Sequence, residues 1–126
     1  MGLKTYKDLK FWITAKEVSL LVIQLSNKLP NNSRVVWIIV DQLLRASFSV
    51  GANIAEGFGK YKGKEYRRFL LIALGSANET EYWLELLRDS YPEFSETIDT
   101  ILQKNVESIK MLASAVKSLD KRGTGL

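Results

Sequence analysis

Lys60, Lys62, Lys64, Arg67 and Arg68 fall within nine residues, interleaved with Phe58, Tyr61 and Tyr66. Clustered cations bind phosphate backbones by releasing counterions, with steep salt dependence, and rings set among them can stack on unpaired bases. The plainer alternative is a solvated turn kept soluble by its lysines, with Tyr66 in the core. A second chemically capable set is Gln42, Arg45, Ser49, Asn53 and Glu56, spaced through the small-residue run Gln42–Gly57 (QLLRASFSVGANIAEG), with Ser76 and Glu79 further on. A guanidinium and a carboxylate satisfy one another in paired geometry. Gln42, Arg45, Ser49, Ser76 and Glu79 are therefore expected to form a hydrogen-bonded network between two helices, so that Glu79→Ala would cost several kcal/mol by stranding Arg45. The competing reading makes Glu56, Glu65 and Glu79 an acid, base or metal-ligand set. Di-metal bundles use Glu-x-x-His motifs, and this chain has no histidine.

The absences narrow the chemistry further. Without cysteine there is no disulfide, thiolate nucleophile or thiolate metal site. Without histidine the commonest general base and transition-metal ligand is missing. No spacing of the remaining Asp, Glu, Lys, Ser and Tyr argues for a catalytic set. The chain is read as non-enzymatic, with no catalytic residue, metal or cofactor. The opening MGLKTY lacks an apolar h-region, and Tyr6 stands where a myristoylation motif wants Ser or Thr. The longest apolar run, 35–40, is too short to span a bilayer. A cytoplasmic location and no membrane partner are expected. The net charge of +4 permits a nucleic-acid partner without demanding one.

These residues need elements to position them. The length of 126 residues suits one domain, 1–126. After a basic arm (1–7), Thr5 and Asp8 stand in capping-box spacing. Phe11, Ala15, Val18, Val22, Leu25 and Leu29 then recur in steps of three and four, predicting a helix over about 8–28. Pro30 ends it, and Ser33 is a natural N-cap for a helix over 34–56. That helix has its seam at Val36, Val40, Leu43, Ser47, Val50 and Ile54. A turn follows, with Gly57 or Gly59 expected in the left-handed conformation. A third helix, 64–90, has its seam at Tyr66, Leu70, Ala73, Ala77, Thr80, Leu84 and Leu87. After Pro92, Ser95 is expected to cap a fourth, 95–121, with its seam at Ile98, Leu102, Asn105, Ile109, Leu112, Val116 and Leu119. Residues 123–126 read as a frayed tail. Four helices of similar length with short connections predict an all-α, antiparallel up-down-up-down bundle.

That topology has two consequences. The start of the first helix and the end of the fourth join the second turn at one pole, adding Lys4, Lys7, Lys10, Lys117, Lys121 and Arg122 to the cluster. Glu81, Glu85, Asp89, Glu93, Glu96 and Asp99 gather at the other. Secondly, the middle helices are apolar beyond their seams. Trp37, Ile38, Phe48, Leu71, Leu74 and Trp83 are expected to form a subunit interface, since so broad an apolar patch is unusual on a monomer. Small residues near Ala46 and Ser49 should lie against the Ala73–Ala77 run, including Gly75 and Ser76. Gly51 and the serines make this stretch a weak helix former on its own; glycine costs about 1 kcal/mol relative to alanine.

The sequence also resembles a known family, the four helix bundle proteins, or 23S rRNA intervening-sequence (S23-like) proteins. The matching residues are Gln42, Arg45, Ala46, Ser49, Asn53, Ile54, Ala55, Glu56 and Gly57, then Glu65, Tyr66, Phe69, Ala73, Gly75, Ser76 and Glu79, with Tyr6-Lys7-Asp8-Leu9 and Trp12 at the start. The chain departs from it at Gly51, where the family often has proline. The resemblance implies a homopentameric ring of four-helix bundles. It also implies a distant relation to retroelement accessory variability proteins, which bind nucleic acid and a reverse transcriptase. The expected function is that of a homo-oligomer binding RNA or DNA, most naturally structured RNA, through the basic pole. The alternative is a protein-interaction scaffold or adaptor that binds no nucleic acid.

Overall fold

The computed structural model of the chain describes residues 2–60 and 63–124. Four α-helices carry the fold: α1 (Lys10–Lys28), α2 (Arg34–Phe58), α3 (Gly63–Ser90) and α4 (Ser95–Thr124). There is no strand among the described residues. α1 and α3 each pack on α2 and α4, while the diagonals α1–α3 and α2–α4 do not meet. Along each side of this square the residue numbers run in opposite directions. Trp12 lies against Gly51, whereas the Ser19 hydroxyl donates to the Ser47 carbonyl. The Ser76 hydroxyl donates to that of Ser49, whereas Phe69 lies against Gly57. Arg67 reaches Asp120, whereas Arg88 reaches Asp99. The chain is an antiparallel up-down-up-down four-helix bundle.

The helix boundaries follow local chemistry. Asp8 accepts from the backbone N–H groups of Lys4 and Thr5 at 3.0 and 3.1 Å. This cap closes a 3-10 turn over Tyr6–Asp8 rather than α1, which starts two residues later with Leu9 as an uncapped lead-in. Ser33 caps α2, accepting from Val36 N–H at 3.4 Å. α2 runs two residues past its expected end, and neither glycine there is left-handed. Gly57 lies inside the helix, and Gly59 has φ −64° and ψ −16°. Among the described residues only Gly2 has positive φ. Pro92–Phe94 forms a second 3-10 turn, and Ser95 at φ −59° is already helical, so it does not cap α4 from outside. α4 continues through Gly123 to Thr124, beyond the expected 121. Met1, Tyr61, Lys62, Gly125 and Leu126 lie outside the described residues.

The core divides at mid-height. Towards the α1–α2 turn it is built from Val22, Leu25, Leu43, Leu84, Leu87, Ile98 and Ile101, all almost fully buried. Towards the α2–α3 turn it is built from Leu9, Ala15, Val50, Ile54, Leu70, Ala73, Ala77 and Leu112, with Tyr6, Trp12, Phe58 and Tyr66 packed around it. Between the two, along α2, α3 and α4, come Ser47, Thr80, Asn105 and Ser108, all buried. Asn105 donates to the Ala77 carbonyl at 2.9 Å and Thr80 to the Ser76 carbonyl at 2.8 Å, whereas the Ser108 hydroxyl has no partner. The expected seams are inside, with adjustments: Ile39 and Ala46 are buried on α2 and Val40 only half so. α2 is long and apolar enough, by length and composition, to cross a bilayer. Its buried residues nonetheless recur at bundle spacing, and Arg34, Asp41, Arg45 and Glu56 punctuate its outer side.

Candidate nucleic-acid interface

Because the helices alternate in direction, the start of α1, the end of α2, the start of α3 and the end of α4 lie at one pole. Their rings and aliphatic side chains share the second core cluster there. Lys4, Lys7, Lys10, Lys60, Lys64, Arg67, Arg68, Lys117 and Lys121 are carried by this end, with the carboxylates Asp8, Glu56, Glu65 and Asp120 among them. Tyr61 and Lys62, both expected in the cluster, lie outside the described residues, as does the Arg122 side chain. The opposite end carries Asp89, Glu93, Glu96 and Asp99, tempered by Lys28, Arg34 and Arg88, while Glu85 and Glu81 step back along α3 towards mid-height. Arg88 binds Asp89 and Asp99, each at 3.2 Å.

The cations of the basic pole are not equivalent. Arg67 binds Asp120 through both Nε and Nη2, the latter at 3.4 Å, tying the first turns of α3 to the last turns of α4. The hydrogen bond to Asp120, and then its charge, raise the guanidinium pKa above its ordinary value. Arg68 donates to Glu65 at 3.3 Å and lies over the Phe69 ring, 4.8 Å from its centroid. Lys60 sits 3.9 Å from Glu56 and 5.4 Å from the same ring centroid. Lys7, Lys10, Lys64 and Lys117 are exposed and have no carboxylate partner among the described residues. The rings are also committed. Tyr6 and Trp12 pack edge to face at 5.0 Å, and Phe58 and Tyr66 are half-buried against the core.

Small residues bring α2 and α3 together beneath this pole. A Cβ on Gly57 would lie 2.6 Å from Phe69 Cβ, closer than real Cβ atoms come, so Gly57 is needed for close approach. Ser49 and Ser76 meet at 3.0 Å, and Asn53 donates to the Ser49 carbonyl and hydroxyl at 2.8 and 2.9 Å. The wider network expected from sequence is not formed. Arg45 turns along its own helix to Asp41 at 3.2 Å, with its side chain 76% exposed. Glu79 accepts from the Trp83 indole at 3.0 Å, and Gln42 is half-buried. An (i, i+4) partner on the adjacent turn of the same helix costs less side-chain ordering than one across the helix gap. The carboxylate alternative also disperses, since Glu56, Glu65 and Glu79 each engage a different neighbour. No group of carboxylates among the described residues is placed to hold a metal ion.

Gly75 faces outward. A Cβ there would meet nothing within 4 Å, so it takes no part in the α2–α3 contact expected of it. Of the apolar residues assigned to a subunit surface, Trp37 is 67% exposed, and Ile38, Phe48 and Leu71 are exposed as well. Leu74 and Trp83 pack against the two core clusters instead. Val35, Ile72 and Tyr82 are further exposed apolar side chains on these two helices. Helical spacing places Ile72 and Tyr82 on the outer side of α3 with Gly75. Their signal in the sequence is their position off the buried seam.

Comparison with known proteins agrees with this architecture. A crystal structure of a protein of unknown function from the S23 ribosomal protein family of Bacteroides thetaiotaomicron superimposes with a TM-score of 0.77 at 33% identity. The match covers 85% of this chain and 98% of that one. No match is found among curated proteins. The family model for the 23S rRNA-intervening sequence protein matches residues 7–114. With that model covering α1, α2 and α3 and most of α4, the chain belongs to the 23S rRNA-intervening sequence protein family.

Proposed function

We propose that this protein is a non-enzymatic, homo-oligomeric bundle that binds structured RNA or DNA through its basic pole. The observation that carries the reading is the gathering of Lys7 and Lys10 from the start of the chain, Lys64 from α3 and Lys117 from α4 at one end of the fold. Sequence distance alone would have kept them apart. Such a surface attracts polyphosphate and lets it go as salt rises. The exposed Trp37, Ile38, Phe48 and Leu71 support self-association, for which the family resemblance suggests a ring of five. Repetition of the basic pole around such a ring would multiply weak contacts into useful affinity.

The test is a titration of RNA against the full chain at two salt concentrations, with light scattering of the same sample. Binding that weakens steeply with salt, and weakens again when Lys7, Lys10 and Lys64 become alanine, is expected. A monomer in solution would remove the oligomeric half of the reading. Absence of any salt-sensitive binding would leave the adaptor reading, with a protein partner on the exposed apolar residues of α2 and α3.

A further inference from the structure

We infer that the basic pole grips nucleic acid by its phosphates alone, and therefore binds duplex or folded nucleic acid without regard to base sequence. This rests on the proposed nucleic-acid function and specifies what kind of target it accepts.

Base edges in the DNA major groove are read by side chains that can make two hydrogen bonds to one base: Arg or Lys to guanine, the commonest contact, and Asn or Gln to adenine. Among the described side chains of this pole, the planar readers are occupied. Arg67 is bound by two nitrogens to Asp120, and Arg68 is bound to Glu65 and covers Phe69. Asn53 is turned inward onto Ser49. Releasing Arg67 would also break the link between α3 and α4. Single strands are held by stacking on exposed rings, yet the described rings of this end are half-buried or covered by neighbouring side chains. Exposed large aromatic side chains lie elsewhere, at Trp37, Phe48 and Tyr82. What faces solvent with its charge uncommitted is lysine: Lys7 and Lys10 from the start of the chain, Lys64 from α3 and Lys117 from α4. A lysine can reach guanine, but it is a compact, strongly hydrated point charge on a flexible stem with no planar fork to fix it on one base, and so it suits phosphate.

The experiment measures binding of the full chain to two DNA duplexes of equal length and unrelated sequence, whose major grooves a sequence reader could tell apart, and to a single strand of the same length, across a salt titration. The two duplexes should bind within about threefold of each other, since even one misread base pair costs a sequence reader about 1–3 kcal/mol. Four phosphate contacts should lose about 150-fold between 50 and 200 mM salt, and replacing Lys7 and Lys64 with alanine should lower the slope of log K against log salt by about two per engaged subunit. Tyr61→Ala should leave the duplex-to-single-strand ratio unchanged. A preference of tenfold or more between the duplexes would overturn the inference while leaving nucleic-acid binding in place. So would tighter single-strand binding that Tyr61→Ala abolishes. Failure of all three ligands to bind at low salt would take down the parent reading as well.

Discussion

The two halves of the bundle use the same four helices and fill them differently. Near the acidic end, Leu25, Leu43, Leu84, Leu87, Ile98 and Ile101 fill the interior with branched aliphatic volume. Near the basic end the interior relies on Ala15, Ala73 and Ala77 beside Val50 and Ile54, and Tyr6, Trp12, Phe58 and Tyr66 close the end with rings. Large side chains stabilise by the area they remove from water, whereas small ones let backbones approach and gain contact at short range. One half is therefore sensitive to losing atoms and the other to gaining them. The end proposed to meet a ligand is the one whose shape depends on close helix contact.

Substitutions can break that contrast or sharpen it. Leu84→Ala, in the aliphatic half, should cost about 2–5 kcal/mol by urea denaturation, because Leu84 is fully buried and its neighbours cannot fully collapse on the cavity. Gly57→Ala, in the small-residue half, should cost about 1–3 kcal/mol, because the new methyl meets Phe69 at its rigid root and pushes α2 off α3. Gly75→Ala makes the same chemical change where space is open, so it should raise stability by up to about 1 kcal/mol through helix propensity. Opposite signs for the two glycines, read in one denaturation series, would establish that close approach sets the first. Glu79→Ala should have the smallest effect, well under about 1 kcal/mol, since it removes one exposed hydrogen bond to Trp83 and strands no buried charge. A loss of several kcal/mol there would instead restore the Arg45–Glu79 pairing expected from the sequence.

That revision shows which parts of the fold could be read from the residues. Val18, Val22, Leu25, Leu70, Leu84 and Leu87 announce themselves by helical spacing, and all are buried. α2 is apolar nearly all round, so spacing cannot choose between Ile39 and Val40; the packing of α1 and α3 around it decides for Ile39. Asp41 was available as an (i, i+4) partner for Arg45, a local signal that outweighed the longer reach to Glu79. Arg67 and Asp120 are 53 residues apart, and their pairing depends on the register of α3 against α4, which no short motif encodes. Gly57 had two physical uses, a left-handed turn or a tight crossing, and only the neighbouring Phe69 ring distinguishes them. The basic pole was legible from topology, but which of its cations are already spent on carboxylates was not.

The buried layer of Ser47, Thr80, Asn105 and Ser108 has a consequence for motion. Apolar contact is what makes helices open cooperatively, and here it is interrupted halfway along the axis, with one hydroxyl lacking any partner. Backbone amides on the two sides of that interruption should exchange with deuterium as separate populations, each reporting its own opening free energy. The alanine-rich side should exchange faster, leaving the lysine-bearing tips able to adjust to a target while the other side stays closed.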